Sequence, residues 1–175
     1  MATLIPRLLT PLVMLTLGSC SYAYDLKVVA IDGHVAFVVD PSSRGQPDCI
    51  RSIHVSADDG EPKATAAPGD DEALVRNGSV YWWEFMEIGS CQNPFPVIYG
   101  VPLKGKRSAA VGYVAAKRLK VGVVYEVGAE SSGSGYGSGW FKIQRNGQIE
   151  NYRNDPTPPM RDDNGYVING SEAKP

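Results

Sequence analysis

The chain has 175 residues, with 17 Lys and Arg against 19 Asp and Glu and a formal net charge of −2 at pH 7. One domain with a sizeable core is the expectation at that length, and a weakly acidic balance gives no electrostatic reason to seek nucleic acid. With 2 His, 3 Cys and no C-x-x-C pair, the composition speaks against a zinc cage or a thioredoxin-like redox site.

Residues 1–19 read as a signal peptide. Arg7 is the only charged side chain among the first residues, and Leu8, Leu9, Leu12, Val13, Met14, Leu15 and Leu17 follow it. That run is shorter than the ~20 apolar residues of a bilayer span, and Pro11 interrupts it. Leu17-Gly18-Ser19-Cys20, at its end, resembles the bacterial lipobox. The resemblance implies diacylglyceryl transfer to the Cys20 thiol, cleavage between Ser19 and Cys20, and acylation of the new amino terminus. In such lipoproteins an Asp directly after the cysteine holds the protein in the inner membrane. Ser21 stands there instead, which implies the outer membrane with the domain facing the periplasm. Ser21-Tyr22-Ala23 also fits an ordinary secretory cleavage site, which would give a soluble periplasmic or secreted protein. Both readings export the chain.

Three cysteines in an exported protein leave one over. If Cys20 carries lipid, Cys49 and Cys91 remain to pair in an oxidising compartment, closing a loop that the chain-entropy model values at about 4 kcal/mol.

The mature chain reads as all-β. Residues 26–31 and 34–39 are rich in Val, Ala, Ile and Phe and flank Asp32-Gly33, the dipeptide of a type I′ hairpin turn. Residues 49–56 alternate imperfectly as a strand that starts at Cys49. Residues 57–77, rich in Asp, Pro, Gly and Ala, read as a long loop that carries Asp58, Asp59, Glu61, Asp70, Asp71 and Glu72. These acids lack the spacing of a calcium loop. Asn77-Gly78 then turns the chain into residues 79–86, whose aromatic density predicts a strand with one face in the core, or else an exposed binding surface. Prolines 94, 96 and 102 put the apolar run 95–101 at a sheet edge or in an irregular connection.

Residues 104–120 hold Lys104, Lys106, Arg107, Lys117, Arg118 and Lys120 without an acid. They read as a solvated stretch, or as a contact for anionic envelope polymers or lipid headgroups. Within them, residues 108–119 are ambiguous: the alanines suit a short helix, whereas Val111, Gly112 and Tyr113 suit strand or loop.

Residues 119–127, Leu-Lys-Val-Gly-Val-Val-Tyr-Glu-Val, resemble the L-x-P-G-x-x-Y-x-V pattern at the tyrosine corner of fibronectin type III and related Greek-key sandwiches, with Val121 in place of the proline. The resemblance implies an immunoglobulin-like β-sandwich in which the Tyr125 hydroxyl bonds back to the backbone just upstream. Strands at 123–129 and 139–144 would then pair as a hairpin, joined by a flexible Gly/Ser loop over 131–138 that lacks the Lys-Ser/Thr end of a phosphate loop. Asn146-Gly147 makes a further turn before a short strand at 148–152. The expected organisation is a signal peptide at 1–19, a sandwich domain with one disulfide at 20–153, and a flexible tail at 154–175.

Catalysis finds no support. Only His34 and His54 could serve a nucleophilic triad, and no G-x-S-x-G elbow accompanies them. The expectation is a lipid-anchored, non-enzymatic binding or structural module with no cofactor or metal, a membrane attachment, and an envelope polymer or protein partner. Ser132-Gly133-Ser134-Gly135-Tyr136 also resembles the S-G-x-x-Y loop of the membrane-bound inhibitors of C-type lysozyme. That resemblance implies an alternative in which Ser132, Gly133 and Tyr136 enter the enzyme's cleft. The second motif of those inhibitors, Y-x-x-x-T-K-G, is missing.

Overall fold

The computed structural model describes residues 21–57, 64–84, 92–106, 112–131, 134–154 and 156. They form β1 (Tyr22–Ile31), β2 (His34–Val39), β3 (Cys49–Ala57), α1 (Glu72–Arg76), β4 (Ser79–Glu84), β5 (Asn93–Pro94), β6 (Val97–Ile98), β7 (Val124–Ser131), β8 (Gly135–Ile143) and β9 (Ile149–Tyr152). The fold is therefore nearly all β, as its composition predicts. The strands make one mixed, curled sheet in the order β4-β3-β7-β8-β1-β2-β6, with β5 added to β3 and β9 to β8.

The β1–β2 hairpin forms where Asp32-Gly33 predicts it. Asp32 and Gly33 take φ of 49° and 79°, the left-handed pair a type I′ turn needs to match strand twist. β1 begins four residues before its apolar run, because Tyr22 to Asp25 pair in parallel with β8, from Tyr22↔Gly135 to Asp25↔Ser138. From Leu26 onward β1 pairs with β2 instead, while β9 occupies the next stretch of β8, from Trp140↔Tyr152 to Ile143↔Ile149. Asn151 bridges the resulting gap. Its Oδ1 accepts the Val28 N–H at 2.7 Å and its Nδ2 donates to the Val28 carbonyl at 2.8 Å. A side-chain amide thus stands in for a neighbouring peptide group, satisfying both polar groups of a buried residue.

The Gly/Ser segment is not the flexible loop its composition suggests. Residues 135–143 form β8, one of the most extensively paired strands in the sheet. The reason is period-two alternation: Gly135, Gly137 and Gly139 all face inward, Gly135 against the Tyr22 ring, Gly137 against the Tyr24 ring and Gly139 against the Leu26 backbone. A Cβ at Gly137 would come within 2.2 Å of the Tyr24 ring, and one at Gly135 within 2.5 Å of the Tyr22 ring. Absent side chains on one side make room for aromatic rings from β1.

The core gathers on the concave side of the curl. Tyr125 and Val127 of β7, Ile53 and Val55 of β3 and Phe141 of β8 are all buried. Phe37 of β2 meets Phe141 edge-on at 6.2 Å between ring centroids, and Tyr125 stacks on Phe141 at 5.5 Å. The Tyr125 hydroxyl accepts the backbone N–H of Lys120 at 2.8 Å. That is the upstream bond the tyrosine-corner pattern implies, and it forms without the proline. Val121 in its place points into solvent.

Two sequence expectations need correction around the charged runs. Residues 57–77 are not loop throughout: Asp71 caps α1, its Oδ1 accepting the N–H groups of Ala73 and Leu74 at 2.9 and 3.1 Å. Nor are the described parts of the acidic and basic runs separate from each other. Asp70, whose side chain is fully buried, makes an ion pair with Lys117. The N–H groups of Ala67 and Ala115 also bond the Asp70 carboxylate, at 2.6 and 2.8 Å. Burial works against its charged form, but these partners outweigh burial and hold the carboxyl below its ordinary range. Among the described residues of 104–120 there is no helix. Val114 instead exchanges backbone bonds with Trp82 at 3.0 and 3.2 Å, covering the open edge of β4. The proline-rich run supplies only the two-residue β6 at the far edge of the sheet, as its prolines predict. No helix among the described residues is long and apolar enough to cross a membrane.

Candidate functional site

Pleating turns alternate residues of β3, β4, β7, β8 and β9 to the convex side of the sheet, and there they form a continuous polar and aromatic face. Register places Glu84, Ser52, Glu130 and Tyr136 in one row across β4, β3, β7 and β8. The next row carries Trp82, His54, Gly128 and Ser138, and the one after it Ser56, Glu126, Trp140 and Tyr152.

The first row is electrostatically knit. Arg51, displaced by a bulge in β3 between Ile50 and Ser52, forms an ion pair with Glu130 through both Nε and Nη2. The hydrogen bond to Glu130 raises the Arg51 pKa above its ordinary value. Burial, and then the nearby charge of Glu130, push the Glu84 carboxyl up, with Arg51 opposing. In the second row His54 lies over Gly128, where a Cβ would meet the imidazole at 2.2 Å, and stacks on Trp82 at 4.8 Å. Burial pushes the His54 pKa down, against the pull of Glu130. In the third row Trp140 and Tyr152 are direct cross-strand neighbours.

The sequence-predicted positions are distributed unevenly over this frame. Tyr136 is 53% exposed in the first row. Ser132 and Gly133 lie outside the described residues, as do Cys20 and Cys91. Cys49 is buried at the start of β3. Of the convex cluster of Arg51, Glu84, Glu130 and His54, the sequence marks only His54, as a histidine open to a triad, while the alternation of 51–56 marks a two-faced strand. No group of three or more His, Cys, Asp or Glu side chains placed to hold a metal occurs among the described residues. No family model, curated protein or solved structure matches the chain.

Proposed function

We propose that the chain is an exported lipoprotein, acylated at Cys20 and held at the outer membrane, whose domain acts as a non-enzymatic binding or structural module in the periplasm. The observation that carries this reading is the position of β1, which enters the sheet at Tyr22, two residues after the lipobox cysteine. A cysteine that directly precedes a structured strand is where an acyl anchor would tether a folded domain. The convex face supplies the contact surface for a partner, with rings and ionised groups interleaved as in protein interfaces. Mass spectrometry of the native polypeptide from membranes is expected to find diacylglyceryl and N-acyl groups on Cys20. An unmodified sulfur there, or a chain starting at Tyr24, would overturn the reading.

The fold fits an immunoglobulin-like sandwich in this proposal. Its support is the tyrosine-corner bond and the contact of Phe37 with Phe141, which packs the β1-β2-β6 part of the sheet over the β3-β7-β8 part. A Cys49–Cys91 disulfide belongs to the same proposal. Cys49 pairs with Pro94 and Ile50 with Asn93, so the chain carries Cys91 within two residues of a strand bonded to β3. Thiol counting on unreduced protein should find neither cysteine free.

The exposure of Tyr136 favours one second reading, an inhibitor of C-type lysozyme that uses Ser132, Gly133 and Tyr136. Titration of the protein into lysozyme tests it: no loss of muramidase activity at micromolar protein, or equal loss with Tyr136→Ala, ends it.

A further inference from the structure

Two of the large exposed side chains, Tyr22 and Tyr136, sit at the same end of the molecule. Tyr22 is 39% exposed and Tyr136 53%. The parallel register pairs Tyr22 with Gly135 and Ala23 with Tyr136, so both rings flank the point where the chain enters β1. One points to the concave side and one to the convex side, straddling the sheet. Gly45 closes against the Tyr22 ring, where a Cβ would meet it at 2.6 Å, and this places the exposed Arg44 beside the same end. The loop is tied there, because Ser43 Oγ accepts the Asp25 N–H at 2.9 Å. Ser131 and Ser134 are tied there too, through a bond from the Tyr22 N–H to the Ser134 carbonyl at 3.1 Å and one between Tyr22 Oη and Ser131 Oγ at 3.0 Å.

We propose that this end, with Tyr22, Tyr136 and Arg44, is a docking surface for the phospholipid headgroup layer and fixes the orientation of the domain on the membrane. The proposal rests on acylation of Cys20. Two extended residues span at most about 7 Å, so an acylated Cys20 leaves no room for the domain to swing free of the bilayer. Amphipathic tyrosine rings settle at the level of the headgroups, and an arginine there contributes about 1 kcal/mol of attraction to anionic lipid. Of the acids at this end, Glu130 is paired with Arg51, whereas the exposed Asp25 and Asp48 stand near Arg44 and offset part of its attraction, so the short tether and the tyrosine rings carry most of the docking. The opposite end carries the turns at Asp32-Gly33 and Asn146-Gly147, because β1 and β8 both run away from the anchor. This orientation also bears on the inhibitor reading, since it buries Tyr136 in the interface rather than offering it to a soluble enzyme.

The test uses the acylated full chain in vesicles of phosphatidylethanolamine and phosphatidylglycerol that contain lipids brominated near the top of the acyl chain. An added tryptophan reports from the proximal end in Tyr136→Trp, or in Ala23→Trp should the first variant fold poorly, and from the distal end in Gln148→Trp. The contribution of the proximal reporter is expected to be quenched several-fold more than that of the distal one. In the variant lacking the acyl chains, Cys20→Ser, the added change Arg44→Gln is expected to weaken vesicle binding about fivefold at low salt. Mass spectrometry reads the acyl group separately. Acylated protein with equal quenching at both ends overturns this orientation alone, whereas absence of the acyl group removes the anchoring proposal and this one with it.

Discussion

Replacing Asn151 should reveal how much of the fold depends on one side chain acting as a strand. Asn151→Ala removes hydrogen bonds of 2.7 and 2.8 Å to the two backbone groups of Val28, a residue only 1% exposed. Each lost bond is worth about 1 kcal/mol net, and each buried group left unpaired costs about 1–3 kcal/mol. The groove between β1 and β9, bounded by Val28, Val29, Ala30 and Gln148, is open to water, which can re-satisfy part of that loss and sets the expected destabilisation near the lower end, about 2 kcal/mol. For a domain of this size that lowers the melting temperature by about 4–8 °C. Scanning calorimetry of the variant beside the parent measures it. Asn151→Asp sharpens the test, because the carboxylate still accepts from Val28 N–H but sets a negative oxygen against the Val28 carbonyl. Its folded-state pKa is therefore raised, and the lost stability should return as pH falls through that pKa and the protonated oxygen can donate. An alanine variant that melts within a degree of the parent, or an aspartate variant whose deficit does not shrink on acidification, would refute the reasoning.

Three further outcomes follow from the same geometry. Gly137→Ala drives a methyl into the Tyr24 ring and should cost about 1–3 kcal/mol by overpacking, read by denaturant titration, whereas an alanine on the open face at Ser138 should be close to neutral. Tyr125→Phe deletes the hydroxyl that accepts the Lys120 N–H and should cost about 1 kcal/mol in the same assay. His54 has a depressed pKa in the fold, caused first by burial and opposed by Glu130, so the unfolded chain binds the proton more readily. Stability should then fall as pH drops below about 6.5, with Glu130 and Glu84 the charged neighbours on the adjoining strands and Arg51 the one on its own strand. Comparison of urea midpoints at pH 7.5 and pH 5.5 for the parent and His54→Gln isolates this contribution, and an unchanged pH slope in the variant would count against it.

What the sequence discloses depends on how local the determining interaction is. Asp32-Gly33 announces its hairpin because the turn's φ angles are decided by two adjacent residues. Tyr125 announces the bond its hydroxyl accepts because the partner, Lys120, is five positions away. The stripe Gly135, Gly137, Gly139 misleads because its meaning lies in Tyr22, Tyr24 and Leu26, more than a hundred residues earlier, which fill the space those glycines leave. The short α1 is hidden in a stretch of turn-forming composition, although Asp71 ahead of Glu72 carries its capping signal. Asp70 and Lys117 look like members of two unrelated charge runs, and only the approach of the 112–120 segment to the α1 region shows that they neutralise each other. The convex cluster was legible in part. The alternation of 51–56 marks a two-faced strand, but the union of Arg51, Glu84 and Glu130 depends on the strand order β4-β3-β7, which no local pattern encodes.

The division of β1 between two neighbours has a mechanical consequence. Load entering at its first residue travels along the strand axis, and β8 receives it over four residue pairs before β2 takes it up over six more. Hydrogen bonds loaded in this way are sheared together instead of peeling one after another, so β1 can pass tension from its first residue into the rest of the sheet without coming loose.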